Sequence, residues 1–374
     1  MSPILAVTLV LALLLGLGPG AALAQDKVIK MGVIGPLTGD FAFGGQYQLA
    51  GAQLKAEELN AQGGGIKVEI LSEDDASKCD QSVAAARKLL SRDQIHVLLG
   101  AWQSTCTLAI VPLTAQAEVP QYTTSVAGPI TQQGSKWIFR VGIPTSGLNR
   151  ATLEHAVKRL GLKKIAVFTS NEEVGKSVAA TSVAVLQSLG LTPVAKEEWN
   201  RGDKDFTGQL GRIRASGAEA MIFSTGFAEQ SIIARQVRQL GMKIQLLGGD
   251  TIGGNPKFLE LAGADIEGLI FSVGFIAVDD DLRVGAFVRR YRERHKQVPD
   301  SWAALFYDSV GLVHAAVKAT GSIDRKKIAE YTQGLRKGAA YPGVVADMHF
   351  DDKGDPQWDP LLVQIVGGKW MILR

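Results

Sequence analysis

Short apolar runs alternate with longer amphipathic stretches along most of this 374-residue chain. The apolar runs predict strands at Val28–Ile34, Lys67–Leu71, His96–Ala101, Gln121–Thr124 and Trp137–Val141. A second series follows at Lys164–Thr169, Thr192–Lys196, Ala220–Ser224, Ile244–Gly248 and Gly268–Val273. Between them lie helical patterns such as Tyr47–Asn60, Gln81–Ser91, Leu108–Ala117, Asn149–Leu160, Val178–Leu189 and Phe206–Ala215. Glycine punctuates the joins, as at Gly63-Gly64-Gly65 and Gly161. Strands alternating with helices predict parallel sheets covered by helices on both faces.

The two series divide near Pro144-Thr145-Ser146. Beyond Val273 the pattern is helical over Leu282–His295, Trp302–Lys318 and Lys326–Leu335. It closes on strand-like runs at Val344–Phe350, Leu361–Ile365 and Trp370–Leu373. The fold expected is therefore α/β, with two doubly wound parallel-sheet lobes.

Residues 1–24 carry no charged side chain, and Ile4 to Leu17 is apolar. A Gly18-Pro19-Gly20 break and an Ala22-Leu23-Ala24 site follow, which reads as a secretory signal peptide cut after Ala24. No cysteine stands at the cut to take a lipid, so a protein exported to the periplasm is expected. Such an oxidising compartment permits a bond between the two cysteines, Cys79 and Cys106; a pair of buried thiols is the alternative.

Composition narrows the function. Forty Lys+Arg against 37 Asp+Glu, without a basic block, predict no nucleic-acid partner. Two cysteines exclude zinc fingers and iron–sulfur clusters, and His96, His155, His295, His314 and His349 lack metal-ligand spacing. Gly175-Lys176-Ser177 resembles the end of a phosphate loop, but Ser170 replaces its first glycine and Asn171-Glu172-Glu173 would repel phosphate. No G-x-S-x-G or H-E-x-x-H occurs, and Gly32-Val33-Ile34-Gly35 lacks the third glycine of a dinucleotide site. Neither catalysis, cofactor nor metal is expected. An exported hydrolase, the rival class, would need an activated nucleophile.

In open α/β sheets ligands bind beyond the carboxyl ends of the strands. Those ends carry Phe41, Phe43, Trp102, Ser104, Thr105 and Ser125 in the first series, and Val174, Phe227 and Asp250 in the second. Hydroxyls and free amides at a helix start can hold a carboxylate, which makes Ser104, Thr105 and Ser125 candidates. Phe41, Phe43, Trp102 and Phe227 can line an apolar slot, and Asp250 can meet an ammonium or a hydroxyl. Ser104 and Asp250 could equally be caps, and each aromatic could belong to the core.

Taken in order, several segments resemble the leucine/isoleucine/valine-binding protein family. They are Ile29-Lys30-Met31-Gly32-Val33-Ile34-Gly35-Pro36-Leu37-Thr38-Gly39, Glu57-Glu58-Leu59-Asn60, Trp137-Ile138-Phe139-Arg140-Val141, Tyr307-Asp308-Ser309-Val310-Gly311-Leu312 and Phe350-Asp351-Asp352-Lys353-Gly354-Asp355. The resemblance implies a type I periplasmic-binding fold with a three-crossover hinge. Residues 25–144 plus 274–350 would form one lobe, and residues 145–273 plus 351–374 the other. It implies a monomeric receptor that delivers a small-molecule ligand to an ABC permease in the inner membrane. In such receptors a serine at the position of Ser104 holds the ligand carboxylate, an acid at Asp250 pairs with the ammonium, and an aromatic at Phe227 closes over the ligand. Two positions depart: Ala127 replaces a threonine and Val174 a tyrosine. An apolar amino acid is the expected ligand, with an aromatic acid or an amide as the alternative.

Overall fold

A computed structural model describes residues 27–224, 226–249, 252, 254–278 and 281–373. The signal-peptide expectation over residues 1–24 and the site expectation at Asp250 lie outside these residues. The chain opens with β1 (Lys27–Gly35), α1 (Ala42–Gln62), β2 (Ile66–Asp74), α2 (Cys79–Ser91), β3 (Val97–Leu99), α3 (Ser104–Gln116), β4 (Gln121–Thr123) and β5 (Ile138–Arg140). Then come α4 (Thr145–Lys158), β6 (Ile165–Ser170), α5 (Glu173–Ser188), β7 (Ala195–Trp199), α6 (Thr207–Ala215), β8 (Ala220–Ser224), α7 (Phe227–Gln239), β9 (Gln245–Gly248), α8 (Pro256–Ala262) and β10 (Ile270–Val273). The last part holds α9 (Leu282–His295), α10 (Ser301–Thr320), α11 (Arg325–Gly334), β11 (Tyr341–Pro342), β12 (Asp347–Met348), β13 (Leu361–Val366) and β14 (Lys369–Ile372).

Among the described residues β1–β5 form a parallel sheet in the order β2-β1-β3-β4-β5. A second sheet has the order β14-β13-β10-β9-β8-β6-β7. Its β6–β10 strands run parallel, whereas β13 and β14 add as antiparallel neighbours. Gly367 and Gly368, with φ of 57° and 69°, make the two-residue turn that joins β13 to β14.

Alternation along each strand splits its side chains between two cores, because successive residues face opposite ways. Phe168 and Phe223 enter one core of the second sheet, while their neighbours Val167 and Ile222 enter the other. In the first sheet Val97 and Leu99 face α1 and α10, and Leu98 faces α2 and α3. Each such side chain contributes roughly 1.5–3 kcal/mol through burial. The α1–α10 crossing is close: a Cβ at Gly51 would collide with the Ala303 carbonyl.

After β10 the chain returns to the first sheet, where α9 and α10 pack on α1 through Phe287, Tyr291, Ala304 and Tyr307. The final crossover falls later than the 350–351 boundary expected. Gly354 accepts a hydrogen bond from the Arg140 amide at 2.8 Å, and Trp358 packs on the first core. The chain leaves only just before β13.

Other boundaries also differ from the sequence pattern. The edge strand expected at Thr192–Lys196 sits at Ala195–Trp199, because burying Trp199 against Phe206 sets its register. The run Val344–Phe350 forms only the short β12. Asp308 accepts the amides of Val344 and Val345 at 2.8 Å each, which removes both from a strand ladder.

Candidate ligand-binding cleft

The carboxyl ends of the two sheets face each other across a cleft with about 530 Å³ of empty space, part of it open to solvent. On the first-lobe side β3 leads through residues 100–103 into α3. The first amides of a helix have no intrahelical acceptor, so the turn beginning at Ser104 presents N–H groups and positive dipole to the cleft. Ser104 is buried and Thr105 exposed, and both line the space. Ser104 Oγ accepts the Ala127 amide at 3.4 Å, a long bond that leaves the hydroxyl hydrogen available. Cys79, the first residue of α2, and Cys106 of α3 are disulfide-bonded with their Cα atoms 4.5 Å apart. That bond ties together two helices that start at this edge.

The apolar wall is aromatic. Phe41 and Trp102 lie with ring centroids 5.1 Å apart, and Trp302 from α10 packs edge-on to Trp102 at 5.3 Å. Phe43 does not line the cleft. It sits behind this wall, 5.6 Å from Trp102 and 5.9 Å from Trp302, because Ala42–Gly45 belongs to α1 rather than to a loop.

Ser125 lines the cleft, but its hydroxyl is turned inward. It lies 3.0 Å from the Ala101 carbonyl, 2.9 Å from that of Trp102 and 2.7 Å from Thr107 Oγ1. This corrects its expected part as a carboxylate donor: one hydroxyl hydrogen shared among internal acceptors leaves none for a ligand. Ala127 likewise points its methyl into a core with Val111, Ile130 and Ile138 and offers no side-chain surface to the cleft. The segment is held by Arg140. Its buried guanidinium donates to the Ser125 carbonyl at 3.0 Å and to Thr131 Oγ1 at 3.1 Å, and it pairs with Asp355 at 2.8 Å. Burial pulls the Arg140 pKa down, and Asp355 opposes that shift.

The second lobe contributes Glu172, Val174 and Gly226. Val174 therefore stands where expected. Phe227 opens α7, and Gly226 before it adopts φ 69°. Gly175 is needed for packing, since a Cβ there would strike the Ser170 carbonyl. Ser177 Oγ accepts the Gly128 amide at 3.1 Å and bonds Thr145 Oγ1 at 2.8 Å. The Gly175-Lys176-Ser177 sequence thus belongs to the first turns of α5, packed closely on the end of β6. Two further bonds cross the cleft: Arg201 to Asp40 at 3.0 Å and Asn255 to Asp300 at 2.6 Å. The Arg201 guanidinium also lies 4.2 Å from the Phe41 ring centre.

Gln103, Thr124, Val126, Glu172, Gly226 and Trp302 line the cleft without having been singled out from sequence. Glu172 had a signal, as an acid just past a strand end. Trp302 had none, since it opens a helix far along the chain. Among the described residues no cluster of His, Cys, Asp and Glu could hold a metal ion. No described helix is long and apolar enough to cross a membrane.

A family model described as periplasmic binding protein matches residues 28–369. The leucine-, isoleucine-, valine-, threonine- and alanine-binding protein of Pseudomonas aeruginosa is 28% identical over 341 residues, covering 89% of this chain and 88% of its own. A leucine binding protein from Thermotoga maritima superposes with a TM-score of 0.85 at 26% identity, covering 92% of this chain and 98% of that one. The fold is shared by a solute binding protein of an ABC transporter from Rhodopseudomonas palustris, solved in complex with 3,4-dihydroxy benzoic acid. Its TM-score is 0.81 at 24% identity, covering 92% and 95% of the two chains. With two facing, largely parallel sheets, a cleft at the carboxyl ends of their parallel strands and a family match across nearly all of the described chain, this protein belongs to the periplasmic binding proteins, in the Leu/Ile/Val-binding family of ABC-transporter substrate-binding proteins.

Proposed function

We propose that the protein captures a small carboxylate-bearing ligand, an apolar amino acid, between its two lobes and hands it to an ABC importer. The observation that carries this reading is the start of α3, with free amides and the Ser104 and Thr105 hydroxyls opening onto an aromatic slot. That arrangement suits an anionic head and an apolar tail, because a helix start holds a carboxylate without a cationic side chain. Two relatives named for leucine support the same ligand class. Closure is favoured by a ligand that touches both lobes, and the crossovers near 144–146, 273–274 and 359–360 serve as the hinge. Ser104, Thr105, Phe41, Trp102 and Val174 make the contacts, with Phe227 and Asp250 as further candidates.

A second reading, an aromatic acid, is favoured by the flat faces of Phe41, Trp102 and Trp302. A thermal-shift panel of apolar amino acids, benzoate-type acids and amides tests both, since a ligand that binds only the folded state raises its melting temperature. The largest rise is expected with leucine or a close relative. A rise with benzoates alone would replace the amino acid by the second reading.

A further inference from the structure

Among the described residues Glu172 is an acid without a bonded counterpart. It follows β6 directly and stands at the cap position of α5, yet its side chain makes no capping bond. Its carboxylate forms no hydrogen bond or ion pair with any described residue. The cation that acts on its charge is Arg201, whose guanidinium is engaged by Asp40 at 3.0 Å and lies over the Phe41 ring. The neighbouring acid Glu229 accepts the Gly202 amide at 3.1 Å and repels a charge on Glu172. Burial pushes the Glu172 pKa up, Arg201 pulls it down and Glu229 pushes it up again. A half-buried carboxylate left unpaired is costly unless a partner arrives.

The same side chain lines both the aromatic slot and the open polar groove outside it, sharing both with Gln103 and Thr105. The α3 start and Glu172 therefore bound one space from opposite lobes, donors on one side and a lone anion on the other. We infer that Glu172 is a second-lobe acceptor for the ligand's ammonium beside the candidate Asp250, which makes it a selector for zwitterions over simple carboxylates. This deepens the proposed amino-acid reading and rests on it. An ionised Glu172 attracts an ammonium and repels a ligand whose only charge is a carboxylate. Selection follows from both effects. Val174 two residues on presents no polar group to that head, so the charge on Glu172 supplies what the valine lacks.

The test compares leucine with 4-methylpentanoate, which has the same carbon skeleton and carboxylate but no ammonium. Both are titrated calorimetrically against the full-length wild type and Glu172→Gln. The wild type should prefer leucine. In Glu172→Gln that preference should fall about tenfold or more, as a charge-assisted bond becomes a neutral one and the repulsion disappears. Because the readout is a ratio of two ligands on one protein, a general loss of stability or closure would not mimic it. A leucine preference that is unchanged in Glu172→Gln overturns the role of Glu172 and leaves the amino-acid reading standing. A wild type that prefers 4-methylpentanoate or benzoate overturns both.

Discussion

The two walls of the cleft are built on different terms. The first-lobe wall is tied into its own lobe by the Arg140 web, by the disulfide between α2 and α3, and by the Ser125 hydroxyl on the 101–102 carbonyls. Among the described residues the second-lobe wall meets the cleft with an acid that bonds none of them, a valine and a glycine. A wall tied by its own bonds is preorganised, so little ordering remains for the ligand to impose. A wall that offers an unpaired group gains its partner only when the ligand comes and the lobes close. On the proposed reading, carboxylate holding falls to the first lobe and discrimination to the second.

The sharpest way to break this contrast is to remove Arg140. Arg140→Met should destabilise the protein by about 3–5 kcal/mol, because Asp355 and the Ser125 and Gly128 carbonyls lose a buried donor. The lower end is expected, since the Asp355 side chain is 21% exposed and water can screen it. Denaturant unfolding of the variant measures the loss. A change under about 1 kcal/mol would mean that this wall is not stiffened by the guanidinium.

The disulfide comes next. Replacing Cys79 and Cys106 by serine opens a loop of 27 residues and should cost on the order of 3 kcal/mol in the chain-entropy model. Unfolding curves under non-reducing conditions should show the loss. Leucine affinity should fall too if the bond helps to position the α3 start, and unchanged affinity would assign it to stability alone.

Ser104→Ala addresses binding rather than folding. Loss of one hydroxyl bond to a charged acceptor should weaken the ligand by roughly 1.5–3 kcal/mol, while the helix amides keep part of the affinity. Calorimetry that finds full affinity alongside a lowered melting temperature would make Ser104 a structural acceptor for the Ala127 amide and nothing more.

A pH-dependent effect concerns the seam between the walls. Asp300 caps α10, accepting the Ala303 amide at 2.9 Å, and also receives Asn255 from the second lobe at 2.6 Å. Burial pushes its carboxyl up to about 7, against the pull of those bonds. Between about pH 4 and pH 7 the folded state therefore holds a proton that the unfolded chain has lost. The stability due to this group is complete below the unfolded value and is lost as pH rises through about 7. Relative to the wild type, Asp300→Asn, which keeps a capping oxygen, should remove a downward slope of up to about 1.4 kcal/mol per pH unit across that window. Parallel pH profiles for the two proteins would refute the shift.

Much of the fold was legible because hydrophobic period reports which face of an element is buried. The alternation in β6 and β8 separates Phe168 and Phe223 from Val167 and Ile222, and the two βα series follow from it. Boundaries failed where a distant group intervened. Trp199 moved an edge strand, and Asp308 drew the amides of Val344 and Val345 out of a ladder. The cleft was legible to the extent that strand ends are. Phe41, Trp102, Ser104, Thr105, Ser125 and Val174 line it, whereas Phe43 and Ala127 face away.

Local pattern by itself determined the α/β architecture and a helical run, Leu108–Ala117, just after Ser104, because both depend on the order of neighbouring residues; the structure moved that helix start back to Ser104. Only the tertiary structure decided that Ser125 turns its hydroxyl inward, that Trp302 completes the aromatic wall and that Glu172 bonds no described residue. The physical reason lies in where hydrogen-bond partners come from. Arg140 finds Asp355 from 215 positions away, and Asn255 meets Asp300 across two lobes. Periodicity says that a side chain is buried, but which group it meets there is set by packing between segments that the sequence places far apart.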